Sequence, residues 1–418
     1  MAIRSSIRCR FLLSLLLLVV VLPARAGQGT LRFLINEPGV WRPWHFNVSD
    51  QDLRLLGMTA ADGKAFETRL KQIADVFRSS PVWNPPIGVD PLISASADAP
   101  GDYSAYLKGA VKYRQIAGGL LMGSFDRYEV IRREGGKETR EHEIGDETSL
   151  IEFSVNRLPR GAGVNNLQDA AGTIYEQPTR TEDIGGFPTY GDLLVVTTNG
   201  RPVWTPVSRE RFLKAFIATH KPDAANAELY IAAQQKQLDA FLAPAAVAAR
   251  QAKYKAAVDK LAAKGAAAME HERRYWERDE ADTLAALKKG ASHDPKESPM
   301  ARVIAGVKTA ESDLAAMPPA ERSAPACLAA DRGNHTDSGL VAMGTPGCFP
   351  LVAHNPGFFD TRLPPTVPQI LTAMQFRDLE KVWKKGRPTE STGGLDLWTT
   401  YEVFVKADWR KIAGMIGK

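Results

Sequence analysis

The spacing of apolar and polar positions divides the chain into a β-rich first part, a helical middle and a β-rich end. In the first part, an apolar stripe at helical spacing predicts a helix over residues 60–77. Its members are Phe66, Leu70, Ile73 and Phe77. Residues 115–157 instead carry short apolar runs, with a Gly135-Gly136 turn signal between two of them. That pattern predicts antiparallel strands joined by a hairpin.

A second hairpin is predicted from Leu193 to Val207, because Asn199-Gly200 suits the tight turn that joins two such strands. The first arm of this hairpin, Leu193–Val196, is continuously apolar, so we expect a central strand there. Ser208 follows as an N-cap, and the apolar spacing after it predicts a helix that ends near Ala218.

Residues 221–320 are rich in Ala, Lys, Glu and Gln and almost lack glycine. This composition predicts one helix over 225–242, a break at Pro244, a long helix over 245–289 and a third helix over 299–316. The apolar edges of the first two helices indicate a helical hairpin with coiled-coil-like packing.

The last part of the chain, residues 321–418, returns to Gly- and Pro-rich loops and short apolar runs. Residues 349–353 and 397–405 are the best strand candidates there. Asp408 stands where the N-cap of a short terminal helix would begin.

Because β-rich parts lie on both sides of the helical one, we predict an α+β fold, an antiparallel sheet body with an inserted Ala-rich helical hairpin. Residues 27–220 and 321–418 would pack together as that body, and residues 221–320 would form the insertion. Two independent domains joined by a helical stalk are the alternative.

The first 26 residues have the layout of a cleaved secretory signal. Arginines precede an apolar run from Phe11 to Leu22, and Ala24-Arg25-Ala26 gives a small-x-small cleavage site. Cleavage after Ala26 would release a bacterial protein into the periplasm or the medium. Nothing later in the chain is apolar enough to span a bilayer, so we expect no transmembrane segment after cleavage.

Removal of this leader changes the charge balance. The chain has 53 Lys and Arg against 48 Asp and Glu, a net charge of +5. The leader contains four of the arginines and no acid, so 49 basic residues remain against 48 acids, and the net charge falls to about +1. A nucleic-acid-binding protein would be expected to keep a concentrated basic face, which a net charge of about +1 does not indicate. We therefore do not expect nucleic acid as a partner.

Two cysteines remain after the leader, Cys327 and Cys348, and in an exported chain such a pair predicts a disulfide. Two separate buried thiols are the alternative. A metal site is not predicted, because two isolated cysteines supply only half of a structural zinc shell. The glycine pairs also lack the spacing of a phosphate-binding loop, so no cofactor is expected.

The densest group of candidate catalytic side chains lies in and beside the expected disulfide loop. It consists of Asp331, His335, Asp337 and His354. Imidazole and carboxylate groups on loops can perform acid–base catalysis or bind a metal ion. The alternative is a solvated loop stabilised by Asn and Asp turns, and the spacing matches no metal motif.

Three tryptophans, Trp41, Trp44 and Trp83, lie beside prolines in loop-like sequence and are candidate ligand-binding residues. Exposed indole rings stack on sugars or hold apolar ligands, but tryptophans next to proline also anchor loops to a core.

Taken together, these patterns favour an exported protein that acts by binding rather than by catalysis. The helical hairpin would offer a surface for a protein partner or for self-association. The alternative function is that of a periplasmic hydrolase that uses His335, Asp337 and His354.

Overall fold

A computed structural model describes residues 30–47, 53, 59–98, 115–134, 137–145, 149–161, 163–330, 338–374 and 376–418. Helices and antiparallel-dominated sheets are both abundant in these ranges, which confirms the predicted α+β class. The leader lies outside the described residues.

Sixteen strands occur in the described ranges. They are β1 (Thr30–Phe33), β2 (His45–Asn47), β3 (Val89–Asp98), β4 (Ala117–Glu134), β5 (Lys137–Ile144), β6 (Ser149–Val155), β7 (Gly163–Asp169), β8 (Gly172–Glu176), β9 (Asp183–Ile184), β10 (Phe187–Tyr190), β11 (Leu193–Val196), β12 (Trp204–Pro206), β13 (Cys327–Leu328), β14 (Leu340–Val341), β15 (Phe349–His354) and β16 (Leu371–Met374).

Nine α-helices occur in the same ranges. They are α1 (Ala60–Arg78), α2 (Arg209–Leu242), α3 (Pro244–Leu261), α4 (Ala266–Ala291), α5 (Pro299–Ala316), α6 (Pro319–Arg322), α7 (Arg377–Trp383), α8 (Leu395–Lys406) and α9 (Trp409–Ala413).

The larger sheet follows the strand order β2-β3-β4-β6-β16-β11-β10-β9. The outer half of the long strand β4 pairs in addition with β1 and β5. The predicted antiparallel pairing of β4 and β5 is confirmed, with Glu134 opposite Lys137, and Gly135-Gly136 lies outside the described residues. The smaller sheet follows the order β14-β13-β15-β8-β7, and β12 pairs with β15.

Both sheets contain strands from the first and the last part of the chain. In the larger sheet, β16 lies between β6 and β11. In the smaller sheet, β15 pairs with β8 on one side and with β12 and β13 on the other. Residues from the two ends of the chain therefore share their backbone hydrogen bonds and their cores.

The predicted helix near residue 60 is confirmed as α1, and its apolar stripe is the reason for its position. Phe66, Leu70, Ile73 and Phe77 are all almost fully buried in the core under the larger sheet. Thr59 and Asp62 form a reciprocal capping box at the helix start, which satisfies two backbone N–H groups.

The predicted Leu193–Val207 hairpin is wrong. Strand β11 is central, as expected, but it pairs with β10 and β16, whereas β12 belongs to the smaller sheet. The Asn199 side chain accounts for part of this separation, because its amide donates to the carbonyl of Phe358 at 3.1 Å. The turn is thus attached to a distant loop instead of closing a hairpin.

The predicted strand over 397–405 is also wrong, because these residues lie within α8. Their β-branched and aromatic side chains resemble a strand in composition. Packing decides otherwise, since Tyr401, Val403 and Phe404 are buried in the core under the larger sheet. Strand β15 and the Asp408 cap of α9 are confirmed as predicted.

The helical middle of the chain forms an arm, defined here as residues 221–316. Ser208 caps α2 as predicted, but the helix continues through Pro222 to Leu242 instead of ending near Ala218. Its 34 residues span about 51 Å at 1.5 Å per residue. Burial on both sides of Pro222 maintains the helix, with Phe212 packed on the body and Ile231 packed on the arm.

The rest of the arm consists of α3, α4 and α5. The long helix predicted over 245–289 is interrupted at Gly265, whose φ of 93° is incompatible with an α-helix. Helix α5 is confirmed with its predicted bounds, and it returns along α2. No helix in the described ranges is long and apolar enough to cross a membrane.

Candidate functional site

The predicted disulfide is confirmed. The sulfurs of Cys327 and Cys348 are 2.07 Å apart, and the bond joins β13 to the residue that precedes β15. It therefore closes the base of the loop that carries three of the candidate catalytic residues.

Those three residues, Asp331, His335 and Asp337, lie outside the described residues, so their approach to His354 stays a prediction. His354 itself is half-buried at the end of β15. Its Nε2 atom is 3.0 Å from the carbonyl oxygen of Pro159, and its ring centroid is 5.0 Å from that of Tyr175. Both contacts are of the kind that hold a side chain in position.

The tryptophans cluster where α1 meets the loop after β1. Trp83 is fully buried, and Trp41 packs edge-on against it with 5.6 Å between ring centroids. Two cations from α1 cover the half-buried rings, since Arg78 lies 4.8 Å from the Trp41 ring and Lys71 lies 5.7 Å from the Trp44 ring. A ligand that stacks on Trp41 or Trp44 would have to displace these side chains, which favours the anchoring role.

One cluster of charged side chains could not be predicted from the sequence, because its members are far apart in the chain. The guanidinium of Arg377 on α7 lies 3.1 Å from Glu182, 3.2 Å from Glu380 and 3.4 Å from Asp192. Beside it, burial raises the pKa of Tyr401, and the charges of Glu380 and Glu182 add to that effect. Arg377 thus attaches the β9–β11 edge of the larger sheet to α7, and its hydrogen-bonding capacity is used in doing so.

An open groove of about 410 Å³ lies at the root of the arm, between α2 and α5. Ile217, Leu314 and Ala315 form its apolar part. Charged side chains surround it, and Glu210 pairs with Lys214 at 2.8 Å, which holds the pKa of that carboxyl below its ordinary value. The groove is shallow and its charges are already paired.

The outer end of the arm buries very few of its side chains. This arm tip is defined as residues 244–282, that is α3, the turn at Gly265 and the first two thirds of α4. Helix α3 has no buried residue, and the one buried residue of α4 is Ala291, beyond the tip. Tyr254 and Trp276 face each other across the two helices at 6.2 Å but remain half-buried.

An ion pair joins the two helices of the tip. Arg250 of α3 lies 3.1 Å from Glu280 of α4, and its guanidinium also stacks on the Phe241 ring. Within α4, Glu270 accepts hydrogen bonds from Arg273 and Arg274, which lower its pKa to about 2. These charges are exposed and saturated by each other.

No candidate metal centre is found in the described part of the chain, where no three His, Cys, Asp or Glu side chains come together suitably. Comparison of the whole chain with protein-family models, curated proteins and solved structures finds no match.

Proposed function

We propose that the chain is an exported protein that acts by binding another protein chain through its arm tip. The leader pattern supports export into the periplasm or the medium. The Cys327–Cys348 bond supports the same compartment, because disulfides persist where the surroundings are oxidising.

The observation that carries the binding role is the absence of buried residues in α3. Helices gain most of their stability in proteins by burying an apolar face, and α3 and α4 leave theirs half-covered. The half-covered side chains are Tyr254, Val258, Leu261, Met269 and Trp276. A docked partner would complete the burial of these groups, at about 25 cal/mol for each Å² of apolar surface covered.

The arm is also held in place at its root, which a projecting binding surface requires. Its root is a packed two-helix unit, in which Ala227 and Ile231 of α2 meet Ile304 and Val307 of α5. The tip therefore extends from a packed base, and α3 and α4 contact each other and α2. Exposed large side chains occur on the arm, such as Tyr275 at 60% on the tip and Leu242 at 49% just before it.

Site-specific photocrosslinking tests the binding role. A photoreactive benzoylphenylalanine replaces Tyr275 on the tip and, in a matched control, Leu121 on the exposed face of β4. Irradiation of intact cells should give one adduct of reproducible mass from the Tyr275 position, identified by peptide sequencing. Equal yields from both positions, or none from Tyr275, would overturn the proposal.

Export is tested separately on the unmodified chain. N-terminal sequencing of the protein recovered from the periplasm or the medium should begin at Gly27. A chain that is recovered from the cytoplasm with residues 1–26 attached would contradict the proposed location.

A further inference from the structure

The two long sides of the arm tip differ in whether their charged side chains form ion pairs. On one side, Glu270, Arg273, Arg274 and Glu277 form a network of hydrogen bonds and ion pairs within α4. The other side carries exposed charges that have no ion-pair partner among the described residues. Besides Lys264 in the turn and Arg278 on α4, these are Lys253 and Lys260 on α3, and Asp279 and Asp282 on α4.

Helical periodicity places these four charges on one face. At about 3.6 residues per turn, Lys253 and Lys260 lie on the flank of α3 that borders its contact with α4. The same periodicity places Asp279 and Asp282 on that side of α4, with Tyr275, which is 60% exposed, beside them. The tip thus has a face with a basic edge, an acidic edge and an aromatic side chain, which we call the dipolar face.

The net charges of the two helices follow the same division. Helix α3 has four basic side chains and one acid, a net charge of +3. Residues 266–282 of α4 have three basic side chains and six acids, a net charge of −3. Opposite charges on two adjacent helices make this surface complementary to a copy of itself.

We propose that the dipolar face binds the dipolar face of a second copy of this chain. A two-fold axis along the arm would place α3 of one protomer over α4 of its partner. Lysines would then face aspartates twice, as symmetry requires of an isologous contact. The four helices would form an antiparallel bundle in which Tyr275 is covered.

A second copy fits this face better than an unrelated acidic or basic partner. An acidic surface would meet the lysines but would be repelled by Asp279 and Asp282, and a basic surface would be repelled by Lys253 and Lys260. A copy of the same face avoids both repulsions. This inference rests on the proposed binding role of the tip and adds the identity of the partner.

Sedimentation velocity of the purified mature chain over a wide range of concentrations tests the inference. The native chain should sediment as a dimer at the higher concentrations. The double variants K253E/K260E and D279K/D282K should each raise the dimer dissociation constant at least about tenfold, because like charges then face each other. An equimolar mixture of the two variants should dimerise again, since one has two acidic edges and the other two basic edges.

The control is K288E/K289E, which makes the same charge change on α4 outside the dipolar face and should leave the dissociation constant unchanged. A native chain that is monomeric at every concentration would overturn the inference, as would variants that fail to associate when mixed or an equal effect of the control. A monomeric chain that still gives a Tyr275 adduct with a different protein would overturn only the self-association, and the binding role would stand.

Discussion

The Oδ1 atom of Asp126 on β4 accepts a 2.8 Å hydrogen bond from the backbone N–H of Asp396, which lies 270 residues later in the chain. The Oδ2 atom accepts a second bond of 2.8 Å from the N–H of Gly394. Gly394 is the N-cap of α8 and has no side chain of its own to satisfy these donors. A carboxylate from the sheet therefore caps this helix.

Removal of that carboxylate should destabilise the fold. Because D126A leaves at least two N–H groups of α8 without their acceptor in a partly buried place, we expect a loss of about 1–3 kcal/mol in the free energy of unfolding. Urea denaturation measures it. The control is D408A, which removes the exposed local cap of α9 and should cost about 1 kcal/mol or less. An equal or smaller loss in D126A would contradict the role of this contact.

The ion pair between Arg211 and Asp169, which attaches α2 to β7, should make stability depend on pH. Arg211 donates hydrogen bonds of 2.7 and 3.0 Å to the carboxylate. Burial raises the pKa of Asp169, but the bonds and charge of Arg211 outweigh burial, so the net pKa in the folded state is below its ordinary value.

Since the folded-state pKa of Asp169 is the lower one, the pair stabilises the fold above the ordinary pKa, about 3.9, and its contribution is lost as the pH falls. The free energy of unfolding of the native chain should exceed that of R211Q by about 1 kcal/mol at neutral pH, and the difference should vanish in acid. Urea titrations at several pH values measure it. The control R180Q breaks a more exposed pair with Asp183 and should change the free energy of unfolding little. A difference between the native chain and R211Q that grows in acid would refute the assignment.

The root of the arm should depend on Ile231 and not on its exposed neighbour. Ile231 is fully buried against α5, so I231A should cost about 2–4 kcal/mol. L229A removes a side chain of similar size that is 71% exposed and should change stability by less than about 0.5 kcal/mol. Thermal denaturation of both variants checks this, and similar losses would show that α2 is packed differently.

Two adjacent glycines should respond differently to alanine. Gly185 and Gly186 both have positive φ, at 61° and 88°, so each substitution carries a backbone cost of about 1–2 kcal/mol. At Gly185 the new Cβ would also overlap the Trp409 indole, whereas at Gly186 no atom lies within 4 Å. G185A should therefore lower the melting temperature more than G186A; the reverse order would show that Trp409 does not pack on this turn.

The sequence determined the elements whose signals are local. The stripe of α1 and the Pro299 start of α5 can be read from a few neighbouring residues, and the structure confirms both. The Cys327–Cys348 bond follows from a count of cysteines and is confirmed as well. For the candidate site, the sequence predicted a helical hairpin as a binding element, but not which of its surfaces remains uncovered.

The tertiary structure alone decided the elements whose partners are distant in the chain. Residues 397–405 form a helix because Asp126 caps its start and the larger sheet buries its apolar side. Strands β11 and β12 belong to different sheets because β11 finds its second partner in β16. Local periodicity depends on neighbouring residues, whereas burial and hydrogen-bond partners depend on residues hundreds of positions away, so only the folded chain brings these determinants together.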